Sequence, residues 1–246
     1  MITSDKSILY IEKEKLSHQV IQHLGDHVEI KPYNSIFSDL RVFSLDSKSK
    51  RLWIDSRCNL ALQESLGGSN TVFESLRSPI MAMKAIKCET ELNGFRNCHI
   101  RDASALCNFF GWLENELIVN KSSNISEVDA AEKLESFRSV LDDYVGLSFD
   151  TISGFGSNSA IIHYKPRKES SKLITTSEIY LLDSGAQFKD GTTDVTRTVH
   201  FGEPSIQEKD AYTRVLKGHI QLDLSVFPNG TTGYILDAIA RAPLWV

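Results

Sequence analysis

The sequence predicts an α/β chain, and three features of its 246 residues lead there. Short apolar, β-branched runs alternate with amphipathic segments over Met1 to Pro79. A long stripe of apolar residues at helical spacing follows from Glu89. A pair of strands around an Asp-Gly turn then carries two acids, Asp183 and Asp194, eleven residues apart. Hydrophobic residues make up 41% of the chain and charged residues 24%, an ordinary globular balance with room for one large or two modest domains.

In order along the chain, a strand is expected near Ser7 to Ile11, a helix over Lys15 to Leu24, and short strands at His27 to Ile30 and Arg51 to Ile54, with helices between and after them. Ser78-Pro79 and the following Ile80 to Lys87 read as a linker, because proline pushes its predecessor toward extended geometry. From Glu89 the stripe Leu92, Phe95, His99, Ala103, Leu106, Phe110, Leu113 and Leu117 lies on one helical face. His99 reads there as a packed or edge histidine. Ser126 with Asp129 three residues on resembles a capping box opening a second helix through Ala130, Leu134, Phe137 and Leu141.

Ser148 to Ala160, rich in Ser, Gly and Asn, is expected to be a loop leading into a strand, Ile161 to Tyr164, that contains His163. Glu178 to Ser184 is too short for a helix and reads as a buried strand. Thr192 to Phe201 is its β-branched partner, with Lys189, Asp190 and Gly191 as the turn. If the chain folds near Phe188 and Lys189, Asp183 and Asp194 stand directly opposite one another on one face. Carboxylates at that separation repel unless a cation lies between them or one takes up a proton. The bland reading is a strand-end acid and a solvated acid. His200 and His219 read as structural.

The net charge of −5 disfavours nonspecific nucleic-acid binding, which needs a concentrated basic face. There is no run of eighteen apolar residues to cross a membrane and no leader-like N-terminus, so a soluble cytoplasmic protein is expected. Cys58, Cys88, Cys98 and Cys107 show no CxxC spacing and read as thiols rather than zinc ligands.

The words around the two acids add a family. The segment LLDSGAQFKDGTTDVTRTVHFG closely resembles the first metal-binding hairpin of the Xaa-Pro aminopeptidases, in their eukaryotic cytosolic-type branch, among the creatinase-like "pita-bread" metallopeptidases. SNSAIIHYKP, YTRVLKGHI, VFPNGTTGYILDAIARAPLW, FRNCHIRDASAL and ISEVDAAEKLESFR are also similar to it. The match is good from about Ile80 onward and looser over Met1 to Pro79.

This resemblance implies part of a noncatalytic creatinase-like α/β middle domain over residues 1–84. The N-terminal half of an α+β pita-bread catalytic domain would then occupy residues 85–246. It implies that Asp183 chelates one metal, that Asp194 bridges two, and that His163 lies beside the substrate. The implied ions are two Mn²⁺, with zinc or magnesium less favoured. The implied reaction is release of an N-terminal residue that precedes proline, by hydroxide activated between the metals. The implied partners are Xaa-Pro peptides and a second copy of the chain as a homodimer. The family continues past the residue matched by Trp245 with a ligand histidine and two glutamates, so three of five ligands lie outside this sequence. Alone, the chain is expected to be inactive and to expose an apolar patch on the uncovered sheet. The competing expectation is a noncatalytic relative or fragment serving as a binding scaffold. Holding two acids face to face argues against that, since a scaffold has no electrostatic need to do so.

Overall fold

A computed structural model describes residues 1–2, 5–46, 52–67, 72–75 and 78–245. The chain divides into two compact units, Met1–Lys87 and Cys88–Val246. The first contains β1 (Ser7–Tyr10), α1 (His18–Leu24), β2 (Val28–Lys31), α2 (Ser35–Asp46), β3 (Leu52–Asp55), α3 (Leu60–Ser65), β4 (Val72–Ser75) and α4 (Pro79–Ala85). β1 pairs with β2 and β3 with β4, both in parallel, as expected where helices connect neighbouring strands. Within this unit Asp39 accepts hydrogen bonds from Tyr10 and Lys31, each 2.7 Å long, which join α2 to the β1–β2 ladder.

The stretch expected to be a linker is largely helical. Ser78 keeps the extended geometry that precedes proline, and its hydroxyl accepts from the Ile80 N–H, while Pro79 occupies the first helical turn. Proline is at home there because that N–H has no intrahelical partner to lose. The unit boundary at Lys87 falls just beyond this helix.

The second unit holds α5 (Glu89–Glu114), α6 (Glu127–Arg138), β5 (Tyr144–Leu147), β6 (Ile152–Phe155), β7 (Tyr180–Ser184), β8 (Ala186–Phe188), β9 (Gly191–Thr192), β10 (Val195–Val199), α7 (Ile206–Asp223) and α8 (Gly233–Arg241). The capping box at the start of α6 forms as expected, with the Asp129 carboxylate accepting from the Ser126 N–H and the Ser126 hydroxyl accepting from the Asp129 N–H. That hydroxyl and N–H hold the Asp129 carboxyl below the usual range.

On α5 the expected stripe is buried at Leu106 and Leu113, with Leu117 buried just beyond the helix and Leu92, Phe95 and Phe110 half-buried, but the buried face also takes in positions beside it. Gly94, Cys98, Asp102, Ala105, Leu106, Phe109 and Leu113 are buried, whereas His99 and Ala103 of the stripe are exposed. Two of these buried positions carry no hydrophobic signal. A Cβ at Gly94 would lie 2.0 Å from the Asp190 carbonyl oxygen, so glycine lets the hairpin turn seat on the helix. Asp102 is buried because Arg138 of α6 meets it with a two-point ion pair, 2.6 and 3.0 Å.

Two three-stranded antiparallel sheets, β10-β7-β6 and β5-β8-β9, lie along this unit. Tyr180, Leu182 and Ser184 of β7 are buried, while Leu181 and Asp183 between them are only half-buried. Tyr180 and Leu182 join Phe109, Leu113, Leu134, Phe155 and Ile174 in the main core. Each such side chain contributes roughly 1.5–3 kcal/mol through burial. β6 lies inside the expected Ser148 to Ala160 loop, with all four residues buried. Its sequence, ISGF, is small because Gly154 abuts the Ser159 backbone and the Ser153 hydroxyl bonds the Tyr180 hydroxyl at 2.8 Å.

Exposed apolar side chains occur in both units, among them Val42, Ile80 and Met83 in the first and Ile206, Val215, Tyr234 and Ile235 on α7 and α8 in the second. The open side of the β7–β10 ladder, where an apolar patch is expected, carries half-buried Leu181 and Asp183 beside Thr196 and Thr198.

Replacing Arg138 by Met leaves the Asp102 carboxylate buried without its cation, and should cost about 3–5 kcal/mol in urea unfolding. Asp102→Leu combined with Arg138→Met should recover much of that loss. A double variant no more stable than Arg138→Met would show that the pair acts through something other than charge compensation.

Candidate metal centre

The site is built on one continuous hairpin. Val195 pairs with Ser184 and Thr196 with Asp183 in the β7–β10 ladder, and Gln187 pairs with Thr192 and Phe188 with Gly191 in β8–β9. One register therefore runs through both ladders and leaves Lys189 and Asp190 as a two-residue turn. Between the ladders Gly185 faces Asp194 and Ala186 faces Thr193. A Cβ on Gly185 would sit 2.0 Å from the Thr193 carbonyl oxygen, so the arms can approach this closely only with glycine there. Thr193 is buried, its N–H donating to the Ala186 carbonyl and its hydroxyl accepting from the Ala186 N–H.

Asp183 and Asp194 are consequently diagonal rather than directly opposite. Asp183 faces Thr196, and Asp194 lies two residues back along that arm. The turn centre falls one residue later than expected, which slides the register by two and keeps both acids on the same face. Diagonal neighbours stand roughly 7–8 Å apart between α-carbons, within reach of two carboxylates sharing something between them.

Ion pairs and packing hold the hairpin. Arg138, already bound to Asp102, also donates to the Ser184 hydroxyl at 3.1 Å, next to Asp183. At the tip Arg101 of α5 pairs with Asp190, and its guanidinium lies 5.1 Å from the centre of the Phe188 ring. The first arm and the turn are thereby held against helices on the face away from the acids.

Asp183 is half-buried and Asp194 exposed. Among the described residues Asp183 Oδ1 is buried yet accepts no hydrogen bond. A desolvated, unmatched carboxylate oxygen is costly, and a hard divalent cation is the partner its chemistry suits. The donor set fits such an ion but does not complete its shell. No group of three or more His, Cys, Asp or Glu among the described residues is placed to hold one.

His163 is not on a strand. Ile161 to Tyr164 form a bend and turn, Ile161 and Ile162 are exposed, and His163 itself has φ +57°. The apolar pair that suggested a strand instead faces solvent. The exposed imidazole borders a depression with Phe149, Asp150, Ile152 and Lys165. Ile152 is the ladder partner of Asp183 on β6, so the depression adjoins the acidic face. Of the other histidines, His99 is an exposed edge residue with Nδ1 2.8 Å from the Phe95 carbonyl. His200 is a buried side chain whose Nδ1 accepts from the Gly202 N–H. The sequence reading missed Glu127, a fully buried carboxylate. It gave no signal because an acid in a first helical turn usually needs only the helix dipole to explain it.

The model of metallopeptidase family M24 matches residues 93–246, and that of the creatinase/prolidase N-terminal domain matches residues 1–91. This chain belongs to metallopeptidase family M24. It is 51% identical over 253 residues to a probable Xaa-Pro aminopeptidase P of Sordaria macrospora, covering all of this chain and 41% of that protein. It is 53% identical over 251 residues to the Aspergillus niger counterpart, with the same coverage.

Among solved structures, the X-prolyl aminopeptidase of Caenorhabditis elegans, described as a cytosolic enzyme with a di-nuclear active site, superposes with a TM-score of 0.84 at 36% identity. The match covers 99% of this chain and 40% of that one. The prolidase of Pyrococcus furiosus shares the fold, with a TM-score of 0.72 at 20% identity, over 99% of this chain and 67% of its own. The chain thus spans about 41% of the length of the curated relatives it matches. No helix among the described residues is long and apolar enough to cross a membrane.

Asp183→Asn removes the unmatched buried charge. In chelator the variant should be about 1 kcal/mol more stable than the parent chain. In millimolar Mn²⁺ that advantage should shrink or reverse. Equal stabilities in both conditions, followed by thermal melts, would show that Asp183 does not respond to cations.

Proposed function

We propose that the whole protein to which these residues belong is a metal-dependent aminopeptidase that releases an N-terminal residue preceding proline. The observation that carries this is the buried, unmatched oxygen of Asp183 on the sheet face it shares with Asp194. The names of the relatives support the substrate class, and the di-nuclear site described for the Caenorhabditis elegans enzyme supports two ions.

Asp183 would hold one ion and Asp194 would bridge two. Oxygen donors favour manganese, with zinc and magnesium behind it. Bound divalent cations supply a water activated at neutral pH and offset charge developing on the attacked carbonyl oxygen. The remaining work falls to this chain's own residues. Asp183 and Asp194 bring negative charge that balances the cations and aim their oxygens from one rigid hairpin. His163, exposed on its turn, would donate a hydrogen bond to the substrate carbonyl as negative charge grows there. Such a donor matters for a bond to proline, whose nitrogen has no hydrogen for the protein to grip.

Residues 1–84 would serve as the noncatalytic creatinase-like domain and residues 85–246 as the catalytic part. A homodimer and a cytoplasmic setting complete the proposal. The second follows the description of the Caenorhabditis elegans relative as cytosolic.

The test is hydrolysis of Xaa-Pro peptides by a polypeptide extended to the relatives' length and loaded with Mn²⁺. Asp194→Ala should abolish turnover, and His163→Ala should lower kcat by about 10²-fold with KM little changed. The 246-residue chain, in which no group of three or more His, Cys, Asp or Glu ligands forms among the described residues, should show no turnover above its Asp194→Ala control. Full activity of the extended Asp194→Ala variant would refute the assignment.

A further inference from the structure

We propose that Glu127 is a positioning residue that keeps His163 in its left-handed turn by holding Asn158 and Tyr164 on either side of it. This rests on the reading of His163 as the group facing substrate. Glu127 opens α6 and is fully buried, and backbone and side-chain donors surround its carboxylate. Oε1 accepts from the Phe155 N–H at 2.7 Å and from Asn158 Nδ2 at 3.1 Å. Oε2 accepts from the Tyr164 hydroxyl at 2.8 Å and the Lys172 N–H at 2.9 Å, and lies 3.2 Å from Asn158 Nδ2. Asn158 Nδ2 is also 3.0 Å from the Tyr164 hydroxyl oxygen, so the two side chains are bonded to each other as well as to the acid.

These anchors bracket His163. The Ile161 N–H donates to the Asn158 carbonyl, and the Tyr164 N–H donates to the Ile161 carbonyl, so the turn hangs between two residues tied to Glu127. The far end of the segment is tied as well, through the Lys172 N–H and the Ser171 hydroxyl, which accepts from the Val128 N–H at 3.2 Å. His163 is a non-glycine residue at φ +57°, a conformation that an unheld loop would leave. Burial, followed by the bond to Glu127 and its charge, pushes the Tyr164 phenol up, so Tyr164 stays a hydrogen-bond donor to the carboxylate. Nothing about Asn158 or Tyr164 requires either to touch substrate. Their effect reaches the site through the backbone of residues 158–164.

Tyr164→Phe deletes one anchor and leaves Glu127 with the Phe155, Asn158 and Lys172 donors. In the extended protein, trypsin cleavage after Arg167 or Lys168 should become about tenfold faster as local opening becomes more populated. Ser153→Ala, which removes a buried hydrogen bond outside the loop, should leave that rate unchanged. With Mn²⁺, kcat should fall about tenfold and KM move less than about twofold, and in a His163→Ala background Tyr164→Phe should have almost no further effect. Unchanged proteolysis overturns the anchoring. A kcat loss of the same size in the His163→Ala background overturns transmission through His163. If Tyr164→Phe does not fold, Asn158→Ala is judged by the same criteria. An extended parent protein that digests as described but cleaves no Xaa-Pro peptide would refute the functional reading while the proteolysis rates still decide the anchoring.

Discussion

The arrangement of this molecule depends on the register of one hairpin, and that register is held from behind by charge. Arg138 binds Asp102 in a fully buried pair and reaches on to Ser184, while Arg101 binds Asp190 at the tip. Both arginines approach from the face that packs on helices. Asp183 and Asp194 lie on the opposite face, and among the described residues Asp183 Oδ1 meets no donor there. A buried ion pair is a weak source of net stability against an apolar replacement, but it is a strong constraint on which strand position sits where. Here it sets the position beside Asp183.

A second acid network acts on the neighbouring loop. The Glu127 charge is met by backbone N–H groups, an amide and a phenol drawn from Phe155, Lys172, Asn158 and Tyr164. The contrast is physical. Asp102 uses one rigid guanidinium fork to join two helices and a strand, whereas Glu127 gathers several weak donors to fold a loop around itself. Asp183 differs from both, because one of its oxygens has neither kind of partner among the described residues. Asp102 and Glu127 explain the architecture, and Asp183 points outward to chemistry.

How much of this was legible in the sequence depends on the kind of signal. The two hairpin arms, the Asp-Gly turn, the Ser126–Asp129 cap and the helix from Glu89 show themselves through local rules that the folded chain obeys. The same face for both acids was also legible, because face depends only on the parity of the register. Their diagonal offset was not, since it turns on whether the turn centre lies at Phe188–Lys189 or at Lys189–Asp190, one residue apart. The stripe on α5 picks out Leu106, Leu113 and Leu117 of the core but not Gly94 and Asp102, which are buried for reasons of close approach and charge. β6 was hidden for a related reason: Ser153 and Gly154 look like loop residues and are small only because neighbours crowd them. His163 looked like a strand residue because Ile161 and Ile162 precede it, and its positive φ comes from anchors far away in sequence. The family resemblance, by contrast, lay in short words around the acids and needed no folding argument.

The most direct test of the central claim is anomalous diffraction at the manganese edge from crystals of the extended protein grown with Mn²⁺. The account predicts two peaks on the open face of the hairpin, one bonded to both Asp183 and Asp194 and the other to just one of these carboxylates. Manganese located away from both carboxylates, or carboxylates turned to opposite faces of the sheet, would contradict it.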